Sequence, residues 1–189
     1  MKQFKLTPYL HADLQRANFL LNNQTDVVHG FKLWIGLLSP RFIPVLLCRL
    51  AHSMHLLKLY PVAKLFALLN FFFFGIEIAS RCPIGPGLFF PHTQGTVIGA
   101  WSIGKNATIF QGVTLGALKL DMTYDEQSRP KVADNVTMGA GAKVLGNVVL
   151  NDFCTIGANA VVLSSVAAGG LAVGVPAIVV KVNNIINDE

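Results

Sequence analysis

Large apolar residues recur at every sixth position through most of the second half of the chain. The positions are Ile78, Ile84 and Phe90, then Val97, Ile103, Ile109 and Leu115, and after an interruption Val132, Met138, Val144, Leu150, Ile156 and Val162. Small residues recur within the same repeat, where the chain must turn. A repeat this short cannot bury its own apolar side chain, so successive repeats must stack on one another. The pattern predicts a parallel β-helix with three short strands in each coil.

The first part of the chain follows a different period. Apolar residues such as Leu46, Leu50 and Leu57 fall at helical spacing, and Pro44 and Pro61 mark where helices should start or kink. We therefore expect an α-helical N-terminal region over residues 1–75 and a β-helix domain over residues 76–189.

Two features interrupt the six-residue repeat. One is a slip at Pro91 to Gly95, which carries His92, the only histidine of the repeat region. An extra residue bulges the backbone and re-aims a side chain. The other is the polar segment 117–131, which we expect to be extruded as a loop. The repeat ends after Ser164, and the final segment is expected to cap the stack.

The composition raises the question of a membrane, because 52% of the residues are hydrophobic and 13% are charged. The stretch Phe31 to Leu50 contains basic residues and prolines, and Leu65 to Ile76 is shorter than the roughly 20 residues that a spanning helix needs. We expect no transmembrane helix. No secretory signal is visible, which predicts a cytoplasmic location. The cysteines form no CxxC pair, so we expect reduced thiols and no metal site.

The run Phe71 to Phe74 leaves two interpretations open. One is packing within the protein or between subunits. The other is a peripheral contact at the inner face of the membrane, helped by Arg41, Arg49, Lys58 and Lys64. The net charge of +5 fits a phosphate-bearing cofactor or an anionic surface. Scattered basic residues without a recognition motif argue against nucleic acid.

His92 is the candidate catalytic base. Neutral imidazole can remove the proton of an attacking hydroxyl, and it is usually held in one tautomer by a carboxylate. Glu77 lies fifteen residues upstream. Since one coil takes about eighteen residues, Glu77 should lie near His92.

The ordered sequence blocks resemble serine acetyltransferases, which are hexapeptide-repeat acyltransferases. The blocks are Pro91-His92-Thr93-Gln94-Gly95, Gln111-Gly112-Val113-Thr114-Leu115-Gly116, Arg129-Pro130-Lys131-Val132, Met138-Gly139-Ala140-Gly141-Ala142-Lys143 and Gly174-Val175-Pro176-Ala177. The resemblance covers roughly residues 75–181, and it implies a left-handed β-helix and a homotrimer or a higher oligomer of trimers.

The resemblance also implies roles for individual residues. His92 falls on the general base, and Glu77 falls on the carboxylate that pairs with it, an aspartate in the family. Acetyl-CoA would be the donor, bound between two subunits. The residues implied in binding it are Gly116, Ala140 and Ala158 through their backbone, with Lys143 and Lys181 as phosphate partners.

The departures from the family pattern concern the acceptor. Serine acetyltransferases have Asp directly before the catalytic histidine, where this chain has Pro91, and Arg-His before Pro-Lys, where it has Ser128-Arg129. The groups that hold serine are thus largely missing. The chain also resembles the O-acetyltransferases of capsule and exopolysaccharide biosynthesis, whose acceptors are sugar hydroxyls.

The preferred interpretation is therefore acetyl transfer from acetyl-CoA to a sugar hydroxyl, with Arg129 reaching the acceptor or the cofactor. The alternative is serine O-acetylation. A non-enzymatic hexapeptide scaffold is a third possibility. A zinc carbonic anhydrase on this fold is disfavoured, because His92 alone cannot supply the three histidines that it needs.

Overall fold

A computed structural model describes residues 5–23, 39, 41–121 and 123–182, with side chains as far as residue 180. Three helices come first: α1 (Leu6–Asn22), α2 (Ile43–Leu56) and α3 (Tyr60–Phe74). Proline stands in the first turn of both α2 and α3, where its missing N–H costs nothing. Gly75 ends α3 with φ of +62°, and its N–H donates to Phe71 O. In the described part of the chain, no helix combines the length and apolar character needed to cross a membrane.

Short strands follow from residue 76 onward. They are β1 (Ile76–Ile78), β2 (Thr96–Ile98), β3 (Ser102–Ile103), β4 (Thr108–Ile109), β5 (Thr114–Gly116), β6 (Lys131–Val132), β7 (Thr137–Met138), β8 (Lys143–Leu145), β9 (Val149–Leu150), β10 (Thr155–Ile156), β11 (Val161–Val162), β12 (Gly170–Gly174) and β13 (Ala177–Val182). The fold is thus mainly β with a helical N-terminal region, as predicted.

The described strands form three sheets, and the chain visits them in turn. The first sheet has the order β1-β2-β5-β8-β11, the second β13-β12-β10-β7-β4, and the third β3-β6-β9. All pairings are parallel except β12 with β13. Lys143 pairs with Val161, eighteen positions on, whereas Thr114 pairs with Lys143 across a longer step that contains loop 117–131. The chain therefore forms a three-sided stack of coils.

The stack is filled by the side chains that the six-residue repeat selects. Each of the following is 0% exposed: Ile109, Leu115, Met138, Val144, Leu150 and Ile156. Val97 is an exception to the predicted column, because it is 37% exposed while Thr96 and Ile98 point inward. Successive residues of a strand face opposite sides, and the slip before β2 moves the inward positions by one.

A buried ion pair joins the helices to the first coil. Asp13 in α1 and Arg49 in α2 are 0% and 1% exposed, with Arg49 Nε donating to Asp13 Oδ2 at 2.8 Å. Asp13 Oδ1 also accepts hydrogen bonds from the amides of Gly87 and Leu88, at 2.7 and 2.8 Å. The expectation that Arg49 supports a membrane contact is therefore wrong, because its guanidinium is buried and paired with Asp13.

The stack ends in a hairpin. β12 continues the second sheet, and β13 folds back to pair with it antiparallel. Gly174 lies at the end of β12 and Ala177 at the start of β13.

Candidate active site

The segment that carries His92 lies at the corner between the second and first sheets. Phe89 bridges to Thr108 in β4 of the second sheet, and β2 of the first sheet begins at Thr96. Thr93 Oγ1 donates to Phe74 O at 2.7 Å, and Gly95 N donates to Gly75 O at 2.9 Å. These bonds fix the slip against the end of α3, directly before β1.

Glu77 lies at the centre of β1 with its side chain exposed on the outer face of the first sheet. It pairs with Val97 of β2. His92 is also exposed. The structure brings the two segments side by side, although no hydrogen bond among the described residues joins Glu77 to His92. Their catalytic pairing stays a prediction.

A cleft of about 1020 Å³ lies over the outer face of the first sheet. Its floor includes Glu77, Thr114 and Gly116, and α2 and α3 form one wall. Arg81, Tyr124 and Arg129 also line it, and the last two belong to loop 117–131. The cleft therefore joins the candidate carboxylate Glu77, the candidate cofactor residue Gly116 and the candidate substrate residue Arg129 in one space.

Arg129 is held rigidly at the edge of this cleft. Its Nε donates to Asp121 Oδ2 at 2.8 Å, and its Nη1 donates to Gly99 O at 2.7 Å. Its guanidinium lies 3.9 Å from the centre of the Tyr124 ring. Most of its hydrogen-bonding capacity is thus committed to the protein, and its first role is to fold the loop onto the sheet.

Asp121 organises the loop. Burial acts to raise the pKa of its carboxyl, but hydrogen bonds from the Thr123 hydroxyl, the Asp125 amide and Arg129 outweigh burial and hold the pKa well below its usual range. Asp121 was missed by the sequence reasoning. Its signal was an Asp two residues before Thr123, a pattern typical of an Asx turn.

Tyr124 was missed as well. Its hydroxyl donates to Ala100 O at 2.5 Å, which ties the loop to the turn after β2. Burial raises the pKa of this phenol, so it stays protonated and keeps its donor. Periodicity could not find this contact, because the irregular loop has none.

The remaining candidate cofactor residues lie elsewhere. Ala140 and Ala158 occupy the same corner as His92, stacked one coil apart, with Asn159 N donating to Ala140 O at 2.8 Å. Lys143 Nζ donates to Gly112 O at this corner. Gly116 lies at the opposite edge of the first sheet, so one chain does not bring these residues together at one edge. Lys181 lies in β13, and its side chain is outside the described part.

The thiols offer no nucleophile. Cys48, Cys82 and Cys154 are free and buried. Burial raises the pKa of Cys48 to about 11 and the pKa of Cys82 and Cys154 to about 12, so all three are protonated at neutral pH. Within the ranges that the structure describes, no three His, Cys, Asp or Glu side chains cluster to hold a metal ion.

Curated relatives with clear similarity are named serine acetyltransferases. The protein from Staphylococcus xylosus is 45% identical over 135 residues, covering 70% of this chain and 60% of the relative. The protein from Helicobacter pylori strain J99 is 44% identical over 155 residues, covering 82% of this chain and 89% of the relative. The chain thus spans about three fifths of the staphylococcal relative. No family model matches the chain.

Solved structures agree with the relatives. Neisseria gonorrhoeae serine acetyltransferase superposes with a TM-score of 0.80 at 28% identity, over 93% of this chain and 66% of that one. A serine acetyltransferase in complex with CoA gives a TM-score of 0.77 at 29% identity, over 93% and 69% of the two chains. The expected resemblance to capsule and exopolysaccharide enzymes finds no support in these names. Sequence and structure together show that the chain belongs to the serine acetyltransferase family.

Proposed function

We propose that this protein is an acetyl-CoA-dependent O-acetyltransferase whose acceptor is the hydroxyl of serine. The similarity to the H. pylori serine acetyltransferase carries the proposal, because this chain covers 89% of that relative at 44% identity. This similarity favours serine, the alternative acceptor in the sequence analysis, over the sugar hydroxyl that was preferred there. The departures at Pro91 and Ser128 then mean that this chain holds the acceptor with different side chains.

The exposed His92 supplies the base. Its imidazole accepts the serine hydroxyl proton as that oxygen attacks the thioester carbonyl, a role typically worth about 10² to 10⁴ in rate. The carbon–sulfur bond breaks, and the departing thiolate of CoA takes a proton. Glu77, outward on β1, stabilises the imidazolium once the donor and acceptor exclude water.

We further propose that the coils wind left-handed and that the protein is a trimer, with the donor between subunits. The separation within one chain of Gly116 from Ala140 and Ala158 supports this arrangement. Neighbouring subunits would bring the two edges of the first sheet together, with Lys143 and Lys181 as phosphate partners. Light scattering at micromolar concentration tests the assembly, and a monomer would contradict it.

The apolar face of α3 supports a peripheral contact with an anionic membrane from the cytoplasmic side. Phe72 and Phe73 are 74% and 73% exposed. The chain has no carboxylate between Asp26 and Glu77, whereas Arg41, Lys58 and Lys64 are exposed. Sedimentation with anionic and neutral vesicles at low and high salt tests this contact. If the protein does not sediment with anionic vesicles at low salt, the membrane contact is excluded and packing between subunits remains as the role of this face.

Thiol release tests the reaction. Acetyl-CoA is mixed with serine or with a panel of sugars, and free CoA is followed by a thiol reagent. We expect serine-dependent release that is lost in His92→Ala. Release with a sugar and none with serine would overturn the proposed acceptor.

A further inference from the structure

Arg81 is an exposed cation in the cleft that neither the repeat nor the family blocks single out. It follows β1, in a turn closed by a hydrogen bond from Cys82 N to Ala79 O at 2.9 Å. It lies four residues after Glu77, and both side chains line the same cleft. Arg81 thus shares the outer face of the first sheet with Glu77 but lies at the Gly116 edge, opposite the corner of His92, which does not line this cleft.

The position of Arg81 is set by Tyr124. The Arg81 guanidinium lies 5.0 Å from the centre of the Tyr124 ring. That ring is itself fixed by its hydroxyl bond to Ala100 O and by the contact with Arg129. A cation resting on an anchored aromatic ring loses little freedom when it binds a ligand.

The charge of Arg81 has no fixed counterion. Among the described residues Arg81 takes part in no ion pair, whereas Arg129 is paired with Asp121. Of the described residues that line the cleft, only Glu77 carries a carboxylate, while Lys64 adds another cation. The Arg81 charge also reaches His55, whose pKa is lowered first by burial and then by Arg81. Apart from the paired Arg129, the described lining therefore carries two cations, Lys64 and Arg81, against the one carboxylate of Glu77, a balance that favours an anionic ligand.

We propose that Arg81 binds the carboxylate of the acceptor amino acid and so determines acceptor specificity. This inference rests on the proposed function and on the proposed trimer, in which the Arg81 edge of one subunit meets the His92 corner of the next. A guanidinium presents parallel N–H groups that match a carboxylate, which explains how the chain can recognise serine although Pro91 and Ser128 carry no charge. The phosphates of acetyl-CoA are also anions that a guanidinium can bind. A carboxylate site would alter KM for serine, whereas a phosphate site would alter KM for acetyl-CoA.

The test compares the Arg81→Gln variant with the unsubstituted protein in steady-state assays of thiol release. We expect KM for serine to rise about 10- to 100-fold, because a hydrogen-bonded charge is removed. We expect KM for acetyl-CoA to change less than about twofold and kcat to stay within a similar factor. Arg81→Lys should recover part of the loss, since it keeps the charge without the bidentate geometry. Lys105→Gln is the matched control, because Lys105 pairs with Asp134 at another corner.

Serinamide provides a second readout that a structural defect would not move. It keeps the hydroxyl and the amine but lacks the carboxylate. The unsubstituted protein should have a higher kcat/KM for serine than for serinamide. The Arg81→Gln variant should lose most of that difference. Thermal unfolding of both proteins checks that the exposed substitution leaves the fold intact.

The outcomes separate the two proposals. Turnover of serine with unchanged kinetics in Arg81→Gln overturns the role of Arg81 and leaves the proposed function standing. A rise in KM for acetyl-CoA alone assigns the anion to the donor and overturns the carboxylate assignment. No turnover of serine by the full chain overturns the proposed function, and this inference with it.

Discussion

The buried pair of Asp13 and Arg49 makes a sharp stability prediction, because it is the charged joint between helices and coils. Asp13 accepts four hydrogen bonds, two from Arg49 and two from the amides of Gly87 and Leu88. Arg49 also donates to the carbonyls of Ile84 and Gly85. Arg49→Met fills a similar volume but removes the charge. It leaves a carboxylate buried without its counterion.

The expected cost follows from this burial. Removing one partner of a buried ion pair typically destabilises a protein by about 3–5 kcal/mol. The double variant Asp13→Leu/Arg49→Met should cost less than the sum of the single variants, because neither charge is then left buried alone. The exposed pair of Lys105 and Asp134 is the matched control, with side chains 58% and 36% exposed. Lys105→Met should cost less than about 1 kcal/mol.

Equilibrium unfolding in urea, at one fixed protein concentration, measures these differences from the midpoint and the slope. The reasoning is refuted if Arg49→Met costs no more than Lys105→Met. It is also refuted if the two single substitutions add fully in the double variant. Either result would mean that packing, and not charge, joins the helices to the first coil.

Three further predictions concern the base, the pH dependence and the core. His92→Ala should lower kcat about 10²- to 10⁴-fold and leave the free energy of unfolding nearly unchanged, because the side chain is exposed. Burial lowers the pKa of His52 more than its hydrogen bond to Ser80 O raises it. The stability that neutral His52 contributes is therefore complete above the pKa of about 6.5 that the residue has in the unfolded chain. This stability is lost as pH falls towards the lower pKa of the folded protein, by at most about 1.4 kcal/mol per pH unit. His52→Asn, which keeps an N–H donor near Ser80, should flatten that part of a pH series of urea melts. Leu115→Ala, at a position 0% exposed, should cost about 2–5 kcal/mol in the same assay, and Leu118→Ala, 62% exposed, less than about 0.5 kcal/mol.

Each of these predictions has a contrary outcome. Turnover by His92→Ala equal to that of the full chain removes the base assignment. An unaltered pH slope in His52→Asn assigns the slope to other groups. Equal losses for Leu115→Ala and Leu118→Ala would contradict the burial of the column.

The sequence alone determined the repeating part of the fold. A period of six is local information, since each repeat must bury one apolar side chain and then turn, and stacking is the only way to do so. The slip around His92 was visible for the same reason, as a break in a regular pattern. The length of one coil predicted that the segments of Glu77 and His92 are neighbours, and the structure places them side by side, whereas their catalytic pairing stays a prediction.

Tertiary structure decided the rest. After the slip, strand alternation points Val97 outward and Ile98 inward, whereas the six-residue repeat predicted that Val97 would be buried. Arg49 reads as a surface cation until Asp13, thirty-six positions earlier, is packed against it. The anchoring of Tyr124 and the place of Arg81 beside it depend on an irregular loop folding onto the sheet. Such contacts join segments with no shared period, so only the packed chain brings them together.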